Sequence, residues 1–289
     1  MTRVGWIGLG AMGAPMAACA ARGGYDTLAF DIDPRRAAAL AADGVRPVTS
    51  VREAAAGADV LVVMVATAEQ VQSVLYGDGG AAAALDPGAV VVVMATVGPA
   101  AVRGWTSRLA ERRIELVDAP VSGGVARAAA GDLLIMVAGR EPAVGAVRPL
   151  LDALARSAPV VGSQPGDGQK FKLVNQLLCG VHIAAAAEAL AFAEALGLDA
   201  RACWDVVRDG AAASFMLDDR GGRMVEGAFA EPRSALDIFV KDLGLVTAAA
   251  RETAYDAPLA SAAEELYAAG RRAGLGRLDD SCVIEVLRG

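Results

Sequence analysis

The 289-residue chain contains one histidine, His182, one asparagine, Asn175, and three lysines against 24 arginines. A lone histidine argues against a histidine-based zinc site and against a Ser-His-Asp triad. The four cysteines, Cys19, Cys179, Cys203 and Cys282, are scattered and form no C-x-x-C pair. That spacing gives no metal signature and no disulfide framework, and it fits a reducing compartment. Basic charge is also short. The 27 Lys and Arg face 34 Asp and Glu, and the net charge of −7 argues against nucleic acid or an anionic membrane as partner.

Hydrophobic content is 55%, mostly Ala and Val, yet long uninterrupted apolar runs are lacking. The most apolar helical stretch, Val181 to Leu198, is broken by His182, Glu188 and Glu194. A membrane span needs about 20 nearly uninterrupted apolar residues, so this stretch reads as a buried helix of a soluble protein. There is no basic, apolar leader before the first strand, no repeat, and no low-complexity linker beyond the alanine bias; the expected location is the cytoplasm.

The scarcity of lysine is itself a signal. Arginine serves almost everywhere this chain needs a positive charge, and arginine does not give up its proton. A retained lysine therefore points to a position that needs a dissociable ammonium. Lys170 and Lys172 both fall in Gly168 to His182, together with Asn175 and His182. On a helix, Lys172, Asn175, Gln176 and Cys179 share one face, with His182 at its edge. An amine and two amides on one stripe of an apolar helix suggest a site. The plainer reading is a helix N-terminus with two incidental lysines. A single histidine on an apolar helix is ordinarily a core residue, and His182 is not placed in the catalytic set.

Along the chain, short apolar strands alternate with helical stretches. Strands are expected at Arg3–Ile7, Thr27–Phe30, Val45–Val48, Val60–Val65, Val90–Met94, Glu115–Asp118, Leu133–Ala138 and Pro159–Val161. Between them, helices are expected at Ala14–Ala21, Pro34–Ala42, Ser50–Ala56, Ala68–Leu75, Pro99–Arg113 and Glu141–Arg156. This alternation implies an α/β domain with a parallel sheet covered on both faces. After Val161, the turn-rich stretch Gly162 to Gly168 forms a joint. Beyond it only helical periodicity remains, with breaks near 198–199, 209–213, 226–232, 255–258 and 274–276. The expected domains are residues 1–161 (α/β) and 162–289 (all helical), with the helix from about Gly168 as the hinge element.

Gly8-x-Gly10-x-x-Gly13 follows a strand and opens a helix, which is the context that the dinucleotide fingerprint requires. The first glycine makes the tight turn, the second admits a pyrophosphate and the third packs helix on strand. Leu9, Ala11 and Met12 complete the loop. The helix N-terminus faces the phosphates with free N–H groups. Asp31 ends the next strand, 18 residues after Gly13, where a carboxylate accepts ribose hydroxyls and repels a 2′-phosphate. NAD is therefore expected over NADP, although Arg35 and Arg36 stand close enough to offer a 2′-phosphate a partner. Val65, Ala66 and Thr96 end two further strands, where such sheets bind ligands. Val65 and Ala66 suit the adenosine side and Thr96 the nicotinamide; each is otherwise an ordinary strand end. Ser122-Gly123-Gly124 offers a hydroxyl and consecutive N–H groups to a carboxylate, or is a plain turn. Lys241 suits a cofactor or acid contact, or is a surface lysine paired with Asp237 one turn back.

Taken together, these pieces resemble the β-hydroxyacid dehydrogenase family, which includes 3-hydroxyisobutyrate dehydrogenases and tartronate semialdehyde reductases. The resemblance covers nearly the whole chain. It rests on Ile7–Gly13 with Met16-Ala17, Asp118-Ala-Pro-Val-Ser-Gly-Gly124, Gly168-Gln-Lys-Phe-Lys172 with Asn175, and Lys241-Asp-Leu-Gly244. It implies an N-terminal Rossmann-like doubly wound sheet, a C-terminal all-α domain, and a homodimer or homotetramer formed largely through the helical domains. It implies that Lys172 is catalytic, that Ser122, Gly123, Gly124 and Asn175 hold the substrate, and that Thr96 and Lys241 flank the nicotinamide. Residues 176–185, 237–246 and 279–284 look most like the L-threonate dehydrogenase branch, which oxidises the C2 hydroxyl of a four-carbon sugar acid with NAD. Departures are Ala95 for the usual Ser, Cys19 for the usual Asn, and Phe215 where that branch tends to carry Trp. Gln176, in place of the second Asn of the common pair, agrees with the branch.

The expected chemistry is oxidation of a small hydroxy acid, with Lys172 as general base on the hydroxyl and general acid in reverse. The alternatives within the family are a 3-hydroxyisobutyrate dehydrogenase and a short semialdehyde reductase. An imine reductase on the same scaffold would usually lack the lysine, and a non-catalytic cofactor-binding module would have no need of the Lys-Asn pair.

Overall fold

The computed structural model describes residues 1–288, which form two compact units, Met1–Lys172 and a second from Leu173 onward. In the first unit, β1 (Arg3–Ile7), α1 (Gly13–Arg22), β2 (Asp26–Phe30), α2 (Pro34–Ala39), β3 (Arg46–Pro47), α3 (Val51–Ala55) and β4 (Val60–Val63) follow in turn. They lead to α4 (Ala68–Tyr76), β5 (Val90–Val93), α5 (Pro99–Ala110) and β6 (Glu115–Asp118). Then come β7 (Val121–Ser122), α6 (Gly124–Ala130), β8 (Leu133–Ile135), β9 (Val137–Ala138), α7 (Glu141–Leu154), β10 (Ala155–Ser157) and β11 (Val160–Gly162).

Eight strands form one sheet in the order β11-β9-β6-β5-β4-β1-β2-β3. Its centre is apolar in both directions because both faces are covered. Along β4 and β5, Val60, Val62, Val90 and Val92 enter one core with Trp6, Met16, Val147 and Leu151. Their neighbours Leu61, Val63, Val91 and Val93 enter the other, with Val71, Leu75, Val102 and Trp105. The period of two along a strand thus feeds two cores from one run of valines.

The doubly wound sheet is as expected, with differences at its far edge. Leu133–Ala138 reads as one strand in the sequence, but it breaks at Met136. β8 joins a separate three-stranded sheet ordered β10-β8-β7, while β9 joins the large one. The expected all-parallel pairing is corrected at two seams: β6 and β9 run antiparallel at Asp118 and Ala138 in the large sheet, and β7 and β8 run antiparallel in the small one. The helix expected to Arg156 ends at Leu154, because the next three residues pair with β8.

From the joint onward the chain is helical: α8 (Asp167–Ala195), α9 (Ala200–Val207), α10 (Phe215–Glu226), α11 (Leu236–Glu252), α12 (Pro258–Arg272) and the short α13 (Glu285–Arg288). Among the described residues, α8 alone is long and apolar enough by composition to cross a membrane. In the second unit, however, its Ile183, Ala187 and Leu190 pack in a core with Phe239, Leu243 and Tyr267. Close approach is built into that core. The Tyr267 hydroxyl donates to the Gly180 carbonyl at 3.1 Å, and a Cβ on Gly180 would lie 2.9 Å from the Leu243 side chain. A buried ionic cluster closes the unit. Arg220 donates to both oxygens of Asp280 at 3.0 and 2.9 Å, and Arg223 to Asp279 at 2.5 Å.

Candidate active site

The glycine loop after β1 has a different requirement at each glycine. Gly8 takes φ +95°, and a Cβ there would lie 2.4 Å from the Met64 carbonyl. A Cβ on Gly13 would lie 2.0 Å from the Gly8 carbonyl, so α1 packs onto β1 only with glycine at that position. At Gly10 a Cβ would meet nothing within 4 Å. No protein atom therefore accounts for glycine at that position, which is the one where the fingerprint lets a pyrophosphate approach the backbone.

The Asp31 carboxylate binds this loop directly. Its Oδ2 accepts the Leu9 N–H at 2.7 Å, and its Oδ1 accepts the Asp33 N–H at 2.9 Å. A carboxylate has about four acceptor positions, so capacity remains for ribose hydroxyls. Arg35 is committed elsewhere, donating through Nε and Nη2 to Asp33 at 2.9 and 2.8 Å. Arg36 reaches 3.7 Å from Asp31. The loop and the carboxylate therefore fit a dinucleotide with an unphosphorylated ribose. Val65 lies beside Gly8, its Cγ1 3.0 Å from a Cβ built there. The Ala66 N–H donates to Gln70 Oε1 at 2.8 Å, within the capping box that starts α4.

Around the ends of β5 and β6 the first unit assembles a polar hub that the sequence did not announce. Gln169, in the first turn of α8, is fully buried. Its Oε1 accepts the N–H groups of Val97 and Gly98 at 2.9 and 3.1 Å. Its Nε2 donates to the Ala95 carbonyl at 3.1 Å and to Asp118 Oδ1 at 2.8 Å. Asp118, also fully buried, accepts the N–H groups of Gly166 and Gln169 on Oδ2 at 3.0 and 2.9 Å. The carboxylate at the end of β6 thus caps the first turn of α8 from a distant strand. Burial pushes the Asp118 carboxyl up to about 6, against the pull of its donors on Gln169 and Gly166. Gly168 permits this approach, since a Cβ there would lie 2.6 Å from the Met136 carbonyl. Asp118 and Gln169 both stand in the motifs quoted from the sequence, and that was the available signal.

Thr96 lies in the turn that Gln169 holds, and Ser122 to Gly124 follow Asp118 after a short link. Gly123 and Gly124 have φ of +139° and +77°, and a Cβ on Gly124 would meet nothing within 4 Å. The two neighbouring lysines part company. Lys170 is exposed and pairs with Asp167 at 2.7 Å. Lys172 is only 6% exposed.

Within the second unit, Asn175 donates to Gln176 Oε1 at 2.8 Å, and Gln176 donates to Asp242 Oδ2 at 2.5 Å. The Lys241 ammonium lies 2.7 Å from Asp242 Oδ1. Asp237, the partner suggested for Lys241 by spacing, pairs with Arg271 instead. His182 is exposed, as is Phe215, the first residue of α10.

Residues 3–162 match the family described as the NAD binding domain of 6-phosphogluconate dehydrogenase. Residues 166–287 match the family described as NAD-binding of NADP-dependent 3-hydroxyisobutyrate dehydrogenase. An L-threonate dehydrogenase of Cupriavidus necator is 41% identical over 99% of this chain and 96% of its own length. One from Pectobacterium atrosepticum is 41% identical over 98% of this chain and 93% of its own. Among solved structures, a 3-hydroxyisobutyrate dehydrogenase from Salmonella typhimurium superposes with a TM-score of 0.94 at 40% identity, covering 99% of this chain and all of the other.

Proposed function

The chain belongs to the 3-hydroxyisobutyrate dehydrogenase-like family of NAD-dependent oxidoreductases, and from that premise we propose that it oxidises an L-threonate-type sugar acid at C2, with Lys172 as the general base. That it is a dehydrogenase of a small hydroxy acid, with NAD preferred, follows from the family and from the relatives it resembles. The residue roles are carried by one observation: of two lysines a helical half-turn apart, Lys170 satisfies itself in a surface ion pair and Lys172 is buried.

NAD, when bound, would supply the acceptor for the hydride that leaves the carbinol carbon. The residues of this chain do the rest. The neutral Lys172 amine takes the hydroxyl proton as the carbon becomes a carbonyl, and the ammonium returns it in the reverse direction. Ser122, Gly123 and Gly124 hold the substrate carboxylate, while Asn175, one turn beyond Lys172, orients the substrate. Gly8 to Gly13 receive the pyrophosphate and Asp31 the ribose. Val65 and Ala66 serve the adenosine side, and Thr96 and Lys241 the nicotinamide.

Lys172→Ala should lose about 10²-fold or more in turnover while NAD still binds. NADH formation from L-threonate, D-erythronate, 3-hydroxyisobutyrate, D-glycerate and 4-hydroxybutyrate identifies the substrate. Near-wild-type turnover in that variant removes the assignment, and preference for 3-hydroxyisobutyrate moves the chain to that branch. We further place the protein in the cytoplasm as a homodimer or homotetramer. The oligomer is supported by a stripe along α8, where Phe171, Val174 and Leu178 are about half exposed or more, Val181 partly, and Phe192 again by more than half. From Phe171 to Val181 the spacing of three and four residues is that of a helix seam, and Phe192 stands eleven residues further on.

A further inference from the structure

The carboxamide of Gln169 uses every hydrogen-bonding position it has. It holds three members of the Ala95–Gly98 turn and Asp118, and its own N–H returns to Asp118. Three pieces that the proposed chemistry needs leave from this hub. Thr96 lies inside the clamped turn, Ser122 follows four residues after Asp118, and Lys172 is one helical turn after Gln169. A fully buried amide with complete partners permits one arrangement of the groups around it, because any shift strands a buried donor or acceptor.

We propose that Gln169, held by Asp118, is a positioning residue that fixes the Lys172 amine relative to the Thr96 turn. The proposal rests on the reading of Lys172 as general base. Nothing in the hub itself touches a reacting atom; its effect passes through the first turn of α8. Misplacing a catalytic group by about 1 Å can cost about 10²-fold in rate.

The polarity of the hub supplies the test. Gln169→Glu replaces the Nε2 donor with an oxygen facing Asp118 Oδ1 and the Ala95 carbonyl. Adding Asp118→Asn puts a donor back on the other side, so the pair Asp118→Asn/Gln169→Glu restores one amide–carboxylate bond with its direction reversed. Gln169→Met keeps the length and removes the bonds without adding charge. With only three lysines in the chain, protein carrying isotopically labelled lysine gives three side-chain signals by NMR, which report on Lys172 without any turnover.

In Gln169→Met the Lys172 signal should move while that of Lys241 stays, and kcat should fall about 10²-fold with little change in NAD affinity. The double variant should recover about tenfold or more over Gln169→Glu alone. A merely structural role would lower the melting temperature and leave the Lys172 signal and kcat in place. That outcome in folded Gln169→Met overturns the proposal, as does a double variant no better than Gln169→Glu. If Gln169→Met does not fold, the comparison of the double with Gln169→Glu decides. If the wild-type protein forms no NADH from any hydroxy acid, the dehydrogenase assignment falls, and the Lys172 signal still decides the positioning role.

Discussion

Gly10 and Gly13 sit in one motif but separate cleanly by experiment. A methyl at Gly13 collides with the Gly8 carbonyl, so Gly13→Ala should destabilise the fold by about 1–3 kcal/mol or more in urea denaturation. A methyl at Gly10 meets no protein atom, so Gly10→Ala should keep the wild-type melting temperature and weaken NAD binding by about tenfold or more, read by titration calorimetry. Wild-type NAD affinity in Gly10→Ala would contradict the fit of the loop to a pyrophosphate. Asp118 supplies a pH signature. Its carboxyl lies at about 6 in the folded protein against 3.8 as the ordinary value. A raised folded value means that the contribution to stability is fully present below about pH 4 and is lost as pH rises through about 6. The loss amounts to about 3 kcal/mol. The difference in stability between wild type and Asp118→Asn should therefore drift in favour of the variant between those pH values and then level off. A constant difference would show that Asp118 keeps an ordinary acidity.

At the scale of the element, α8 explains both what was legible and what was not. The rarity of lysine and the spacing of Lys172, Asn175 and Gln176 identified the helix, because helical periodicity is written in adjacent residues. The glycine loop was legible for the same reason. Gln169 and Asp118 were not assigned a task, since their partners lie 51 residues apart in the chain and only folding brings a carboxylate to that helix end. The far edge of the sheet failed for a related cause. Leu133 to Ala138 is uniformly apolar, and apolarity does not record that Leu133–Ile135 and Val137–Ala138 pair with different neighbours on either side of Met136. The buried Asp279 and Asp280 also escaped a structural reading, because acidic residues sink only where arginines such as Arg220 and Arg223 wait for them.

For the whole molecule, alternating strands and helices followed by helices alone gave the architecture, and the exposed stripe of α8 bears on assembly. If that stripe is the seam between copies, Leu178→Glu combined with Phe192→Glu should convert the oligomer to a monomer in light scattering, with secondary structure retained by circular dichroism. An unchanged mass would place the interface elsewhere. The sequence showed an apolar helix, but exposure separates a seam from a core face, and exposure is a property of the folded chain.

The hub at Asp118 also bears on how this protein can be divided. The turn-rich joint near residue 162 looks like the place to separate two modules. Yet Gly166, within that joint, and Gln169, just past it, supply the donors that a fully buried carboxylate in the first unit depends on. A fragment ended at the joint would keep the acceptor and discard its donors. For the same reason, a gene fusion that exchanged the helical part at residue 162 would have to bring a matching glycine and glutamine with it. Inheritance of the two parts is thus tied by a few residues at the head of one helix, and a shuffled chimera is better joined after Lys172 than before Gly166.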